Sequence, residues 1–110
     1  MRVVLSSISP EHADSVARAL VERRLAACVN LLPIRSVYRW DGAVQNDPET
    51  TLVMKVSEAG LDTMVRELRK LHPYDLPEIV VLAVDVGRSL PEYVDWVRAE
   101  TGSRSAETEG

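Results

Sequence analysis

The chain has a single cysteine, Cys28, among its 110 residues. One thiol excludes an intramolecular disulfide and any zinc site built on paired cysteines. The chain also lacks the run of about eighteen apolar residues that a membrane span needs, and no long apolar segment precedes a small-residue cleavage site near its start. We therefore expect a cytoplasmic protein that has no membrane partner.

Positive charge is also scarce. The chain has 13 lysines and arginines against 17 acidic residues, a net charge of -4 and a pI of about 5.1. The basic residues are scattered and form no stripe that could follow a phosphate backbone, so nucleic acid is not an expected partner. No HxxxH pair, phosphate-binding glycine loop or nucleophile elbow occurs either. The sequence thus predicts a binding protein and not an enzyme.

The length, with 45% hydrophobic and 27% charged residues, suits one globular domain with a modest core. We place this domain at residues 1–101. Residues 102–110, GSRSAETEG, are small and polar, and they are predicted to be a disordered tail.

Helices are predicted from apolar residues that recur at helical spacing. The first follows Ser9-Pro10, a cap and first-turn pair, and is expected to end near Ala26. The second spans residues 61–71 and ends before Pro73. A last helix is predicted after Ser89 and Glu92, which have capping-box spacing.

Strands are predicted at residues 3–8, on both sides of Asp41-Gly42, and at residues 79–86. Asp-Gly is a strong two-residue hairpin signal. In the returning strand Leu52, Met54 and Val56 alternate and are expected to face the core. Pro33 predicts a bulge or an edge position, and Asp47-Pro48 predicts an interruption of the pairing.

The predicted order is strand, helix, strand, strand, helix, strand and a terminal helix. This order matches the α+β, ferredoxin-like βαββαβ sandwich, here with an extended hairpin. Such a plan leaves one face of the sheet uncovered. Residues 79–84 are apolar without alternation, which is typical of a strand with both faces dry. We therefore expect other copies of the chain to cover the open face.

The hairpin register suggests a site at that face. If the turn lies at Asp41-Gly42, residues whose numbers sum to 83 face each other, and Cys28 pairs with Lys55. A lysine beside a thiol favours the thiolate, which binds soft metals such as copper. His72 is expected at the opposite end of the sheet, roughly 20 Å away for six residues at about 3.3 Å each, so the two cannot share a ligand within one subunit. Glu49 is expected at the end where His72 and Tyr74 lie.

Each candidate also has a structural interpretation. Cys28 could be a small buried filler, and His72 could be a C-terminal helix cap. Tyr38 and Trp40 lie on one side of a strand and could be hairpin packing. Tyr74, Pro73 and Pro77 could serve only to stiffen a connector.

Four segments, ERRLAACVNLLP, YRWDG, ETTLVMK and HPYDLPEI, occur in the order seen in the CutA divalent-cation tolerance family. The chain resembles this family from Val3 to about Thr101. The resemblance implies a homotrimer of ferredoxin-like subunits, similar in architecture to PII signalling proteins. It also implies that Trp40 and Trp96 match aromatic positions of the family. Six further residues are implied to lie around clefts between subunits: Cys28, Glu49, Lys55, His72, Tyr74 and Glu78.

These observations lead to three hypotheses. The first is a trimeric protein of divalent-cation tolerance that needs no cofactor and binds copper or another divalent ion. In this hypothesis Cys28 and His72 are the metal donors. The cleft is formed by Trp40, Glu49, Lys55, Tyr74 and Glu78. The second is a PII-like signalling scaffold that binds a small anion in the same cleft through Lys55 and backbone amides. The third, an enzyme of the acylphosphatase type, ranks last because no arginine in a glycine-rich loop follows the first strand.

Overall fold

A computed structural model describes residues 1–101, and the predicted tail at 102–110 lies outside the described residues. The strands are β1 (Arg2–Ile8), β2 (Cys28–Trp40), β3 (Ala43–Val56) and β4 (Val80–Ala83). The helices are α1 (Pro10–Glu22), α2 (Leu61–Leu71) and α3 (Pro91–Glu100), with a short 3₁₀ turn at Val86–Arg88. These elements form the predicted α+β, ferredoxin-like plan.

One antiparallel sheet carries the fold, with the strand order β2-β3-β1-β4. The hairpin turns at Asp41 and Gly42, which both have positive φ, at 52° and 77°. This geometry suits a two-residue hairpin loop. Cys28 lies opposite Lys55 and the pairing continues without a break to Trp40 and Ala43, so the predicted register is confirmed.

The predicted interruption at Asp47-Pro48 is wrong, because Pro48 pairs with Arg35 inside the continuous ladder. Strand β1 ends opposite Thr50, so β3 has a partner on one side only from that point outwards. Proline is tolerated in such an edge setting. Pro33 lies on β2, which is an edge strand of the sheet. Of the two roles predicted for it, a bulge or an edge position, the edge position is correct.

Helix α1 ends at Glu22, four residues before the predicted end at Ala26. Arg24 adopts a left-handed conformation with φ of 57°, and the amide of Leu25 donates to the carbonyl of Leu20 over 2.9 Å. This pattern is a Schellman motif. Arginine rarely takes this conformation, so the pattern of the sequence did not indicate the stop.

The last helix begins differently from the prediction as well. Its N-cap is Leu90, and the hydroxyl of Ser89 donates to the carbonyl of Asp85 over 2.7 Å. Since Ser89 makes this bond instead, the predicted capping box does not form.

The core lies between one face of the sheet and helices α1 and α2. Leu52, Met54 and Val56 are fully buried in it, as predicted. Residues of β3 with odd numbers, and of β2 with even numbers, therefore point to the other face, which we call the open face. Part of α3 lies beside that face, with Tyr93 of this helix close to Cys28. The pKa of Tyr93 is raised, mainly by burial and then by the neighbouring thiol.

Strand β4 is shorter than predicted, and its apolar side chains are exposed. Val81 pairs with Val4 and shares the core side of the sheet, whereas Leu82 pairs with Val3 on the open face. Their exposed fractions are 42% and 43%. Within residues 1–101, the helices have 10 to 13 residues, and none is long and apolar enough to cross a bilayer.

Candidate functional site

A cleft of about 740 Å³ opens on the open face, between the outer part of the hairpin and the connector at residues 72–79. Strand alternation brings Tyr38 and Trp40 to the same side of β2, and β3 supplies Glu49. The connector supplies the opposite wall. The polar and aromatic side chains that the following argument uses are Tyr38, Trp40, Glu49, Tyr74, Asp75 and Glu78.

Glu49 and Tyr74 join the two walls. The hydroxyl of Tyr74 donates to Oε2 of Glu49 over 2.7 Å, and Glu49 is only 9% exposed. Burial, followed by the neighbouring Glu49, raises the pKa of Tyr74 far above its usual value. The phenol therefore stays protonated and remains a donor to the carboxylate.

Tyr38 makes a similar contact further out on the hairpin. Its hydroxyl donates to Oδ2 of Asp47 over 2.7 Å, and this hydrogen bond is the main reason that the pKa of Tyr38 is raised. Both tyrosines that line the cleft thus direct their hydroxyls at carboxylates.

His72 lies next to the cleft but is not one of its lining residues. It is buried at the C-cap position of α2, where Nε2 lies 3.0 Å from the carbonyl of Ser7 and Nδ1 lies 3.2 Å from the amide of Tyr74. A carbonyl only accepts and an amide N–H only donates, so these partners assign the neutral tautomer with the proton on Nε2. Burial lowers the pKa of His72, which also favours the neutral ring. Both nitrogens are engaged within the chain. His72 occupies the C-cap position, as its structural interpretation required, but its ring bonds to Ser7 and Tyr74 and not to the carbonyls of the helix.

Cys28 and Lys55 lie outside the cleft, nearer the other end of the sheet. Lys55 Nζ donates to Oδ1 of Asn30, and Cys28 Sγ lies 3.9 Å from the same oxygen. Lys55 and His72 are separated along the sheet, because His72 meets Ser7, which pairs with Thr51, four residues before Lys55. The fold of a single chain therefore keeps Cys28 and His72 apart. This separation is what the sequence predicted.

The charged side chains that line the cleft are all carboxylates: Glu49, Asp75 and Glu78. No lysine or arginine of the described chain lines it. The two arginines of β2, Arg35 and Arg39, alternate to the other face of the hairpin, where Arg35 donates to Asn46 over 3.1 Å. Among residues 1–101, no three His, Cys, Asp or Glu side chains converge closely enough to hold a metal ion.

Sequence reasoning undervalued Tyr38 and did not include Asp75 in the site. Tyr38 was identifiable from its alternation with Trp40, and Asp75 lies within the polar HPYD segment. The register correctly placed Glu49 at the end of the sheet where His72 and Tyr74 lie. What the sequence could not indicate was that the connector folds back over the hairpin, which brings Tyr38 and Asp75 into the same cleft.

Comparison with known proteins agrees with this architecture. The family model described as CutA1 divalent ion tolerance protein matches residues 1–100. The Divalent-cation tolerance protein CutA of Thermus thermophilus is 44% identical over 101 residues, which cover 91% of this chain and 96% of that protein. Human Protein CutA is 42% identical over 94 residues, covering 84% of this chain, which spans about half (51%) of the human protein's length.

Solved structures show the same fold. The PII-like protein CutA from Nostoc sp. PCC 7120 in apo form has a TM-score of 0.90 and 48% identity, covering 92% of this chain and 97% of that one. CutA1 from Pyrococcus horikoshii has a TM-score of 0.86 and 31% identity, covering 92% of this chain and 98% of that one.

Proposed function

The chain belongs to the CutA1 divalent ion tolerance family, and from this premise we propose that it is a cation-binding protein whose ligand enters the cleft beside Glu49. The observation that carries the proposal is the charge of the lining. Glu49, Asp75 and Glu78 face the cleft with no lysine or arginine among the lining residues that the structure describes. Carboxylate oxygens are donors that hard divalent cations prefer.

We propose that the complete ion site forms between the subunits of a homotrimer. A single chain supplies carboxylates to the cleft but, within residues 1–101, no closed set of donors. The apolar residues exposed on β4, Val80, Val81 and Leu82, support assembly, because a monomer would leave them in water. A neighbouring subunit would then provide the missing ligands.

Copper is the candidate ion for which Cys28 matters. Cys28 is partly exposed and could act as a soft donor for reduced copper if a second subunit brings another ligand to it. His72 is the weaker of the two metal candidates, since binding through either nitrogen would break a hydrogen bond to Ser7 or Tyr74. We expect carboxylates to hold harder ions and Cys28 to contribute only with copper.

The alternative of a PII-like scaffold for a small anion has less support. It relied on Lys55 as the cation of the cleft, but Lys55 does not line the cleft and donates to Asn30 instead. An anion would meet three carboxylates there, and their repulsion would disfavour binding.

We also propose that the protein is cytoplasmic and that its role is binding and not catalysis. Names of relatives differ in location, since one from Arabidopsis thaliana is called chloroplastic and one from Archaeoglobus fulgidus is called periplasmic. Expressing the protein with a fluorescent tag and fractionating the cells would test the location.

Titration calorimetry tests the proposed function. Mn²⁺, Zn²⁺, Cu²⁺ and ATP are each added to the wild type, to Glu49→Gln and to Glu92→Gln, which makes the same substitution at an exposed position on α3 outside the cleft. We expect at least one metal ion to bind and Glu49→Gln to weaken it, because the substitution removes the charge but keeps an acceptor for Tyr74. Binding of ATP alone, or equal weakening by both variants, would contradict the proposal.

A further inference from the structure

We infer that the cleft accepts a small organic cation, an alkylammonium or alkylguanidinium ion, with its charge between the carboxylates and the aromatic side chains and its alkyl body along the connector. This inference rests on the proposed preference of the cleft for cations and names a class of ligand for the same site.

The size of the cleft favours an organic ligand. Its volume of about 740 Å³ lies within the range of about 300 to 1,000 Å³ that is usual for small-molecule sites. A water molecule takes about 30 Å³ in the liquid, so a single metal ion with its waters would leave most of this space unfilled. A molecule with several carbon atoms would use it.

The aromatic residues explain why a cation suits the space. Trp40, Tyr38 and Tyr74 line the cleft and are 52%, 41% and 36% exposed in a single subunit, so the fold of the chain itself leaves their rings accessible. The face of an aromatic ring attracts a cation, most strongly in tryptophan. Both tyrosine hydroxyls donate to carboxylates, which increases the electron density of the two rings and strengthens this attraction.

The remaining lining residues complete the match. Glu49, Asp75 and Glu78 can accept the N–H groups of an ammonium or guanidinium ion. Leu76 and Pro77 lie between Asp75 and Glu78 on the connector wall and can pack against an alkyl chain. A metal ion would use the carboxylates only, and an anion would be repelled by them, so neither accounts for the aromatic and apolar parts of the wall.

Three probes with four carbon atoms each isolate the effect of charge: butylammonium, butanol and butyrate. Each is titrated into the full-length protein, and binding is followed by ligand-observed NMR. We expect butylammonium to bind, butanol to bind more weakly and butyrate not to bind. Comparable binding of butanol and butylammonium would show an apolar groove without charge selection, and failure of butylammonium to bind would overturn the inference.

Trp40 locates the binding. The chain has two tryptophans, so the variant Trp96→Phe leaves Trp40 as the only one, and its fluorescence should change when butylammonium is added but not when butyrate is added. Trp40→Leu should weaken butylammonium binding about twofold to fivefold, as expected for loss of one cation–π contact, and Trp40→Phe should recover part of it. Equal affinities of Trp40→Leu and the wild type would remove the aromatic wall from the argument.

The metal titration separates this inference from the proposed function. Glu49→Gln should weaken both ligands, whereas Trp40→Leu should weaken butylammonium and leave metal binding unchanged. If metal binds and butylammonium does not, only this inference fails. If butylammonium binds and no metal does, the metal part of the proposed function fails and the organic cation remains.

Discussion

Tyr74 donates a 2.7 Å hydrogen bond to Glu49, and this contact ties the connector before β4 to the middle of the long hairpin. The partners are 25 residues apart in the chain, and each comes from a different wall of the cleft. The shape of the cleft therefore depends on this bond.

Tyr74→Phe should lower the free energy of unfolding by about 1 to 2 kcal/mol, because the variant leaves the nearly buried Glu49 carboxylate without its donor. Thermal or urea unfolding measures the change. Tyr38→Phe is the matched control, since it removes a similar bond to Asp47 at an exposed position, and no measurable loss is expected there. Equal losses in the two variants would show that burial of Glu49 is not the cause.

His72 should make the protein less stable in acid. Burial lowers its pKa below the ordinary 6.5, despite opposing contributions from the Ser7 carbonyl, Glu49 and Glu78, and His12 lowers it further. The unfolded chain then binds more protons than the folded one as the pH falls through and below 6.5, so stability is lost in that direction. One proton gives a slope of at most about 1.4 kcal/mol per pH unit.

Urea unfolding of the wild type and of His72→Gln at several pH values between about 7 and 5 tests this pH dependence. Glutamine can still donate to Ser7 but does not titrate, so the variant should show a flatter profile. Parallel profiles in the two proteins would assign the acid sensitivity to another group.

Gly42→Ala should destabilise the hairpin by about 1 kcal/mol. Gly42 has φ of 77°, and no atom lies within 4 Å of the position that an added Cβ would take, so the cost would come from the backbone alone. Gly87→Ala is the control, because that glycine has no positive φ and its new Cβ would make an ordinary 3.7 Å contact with Asp85. Thermal unfolding compares the two, and a larger loss at Gly87 would contradict the assignment of strain.

Leu82→Glu should dissociate the proposed trimer. The side chain lies on the open face, and a charge there cannot be buried against another copy without a large cost. Sedimentation should show about three times the 12.2 kDa chain mass for the wild type and the mass of one chain for the variant.

Val81→Glu provides the comparison, because Val81 has almost the same exposed fraction but lies on the core side with Val4. It should lower the melting temperature and leave the mass of the assembly unchanged. A monomeric wild type would remove both the trimer and any site shared between subunits.

Cys28→Ser should weaken the binding of reduced copper, because a hard hydroxyl replaces a soft thiolate. The loss should be at least about tenfold, because removing even an outer-shell partner typically lowers metal affinity by about 10- to 100-fold. His72→Gln should keep the affinity of the wild type, since His72 is engaged with Ser7 and Tyr74. Competition with a copper(I) chelator measures both, and equal affinity of Cys28→Ser and the wild type would exclude the thiol.

Much of the fold was predictable because it depends on local rules. The Asp41-Gly42 turn sets the hairpin register, and alternation from there places Cys28 opposite Lys55 and points Leu52, Met54 and Val56 at the helices. The end of α1 was not predictable, because Arg24 takes a left-handed conformation that its side chain does not favour.

The sequence by itself determined the order of the elements, the side of the sheet to which each strand residue points and the presence of polar groups in the connector. These properties follow from the periods of helix and strand and from turn chemistry. The hairpin register also placed Glu49 at the end of the sheet where Tyr74 lies. Only the tertiary structure decided that the connector folds over the hairpin, so that Tyr74 bonds to Glu49 while Lys55 turns to Asn30. The physical reason is that periodicity specifies a face of the sheet, whereas the convergence of side chains on that face depends on the path of a segment that has no period.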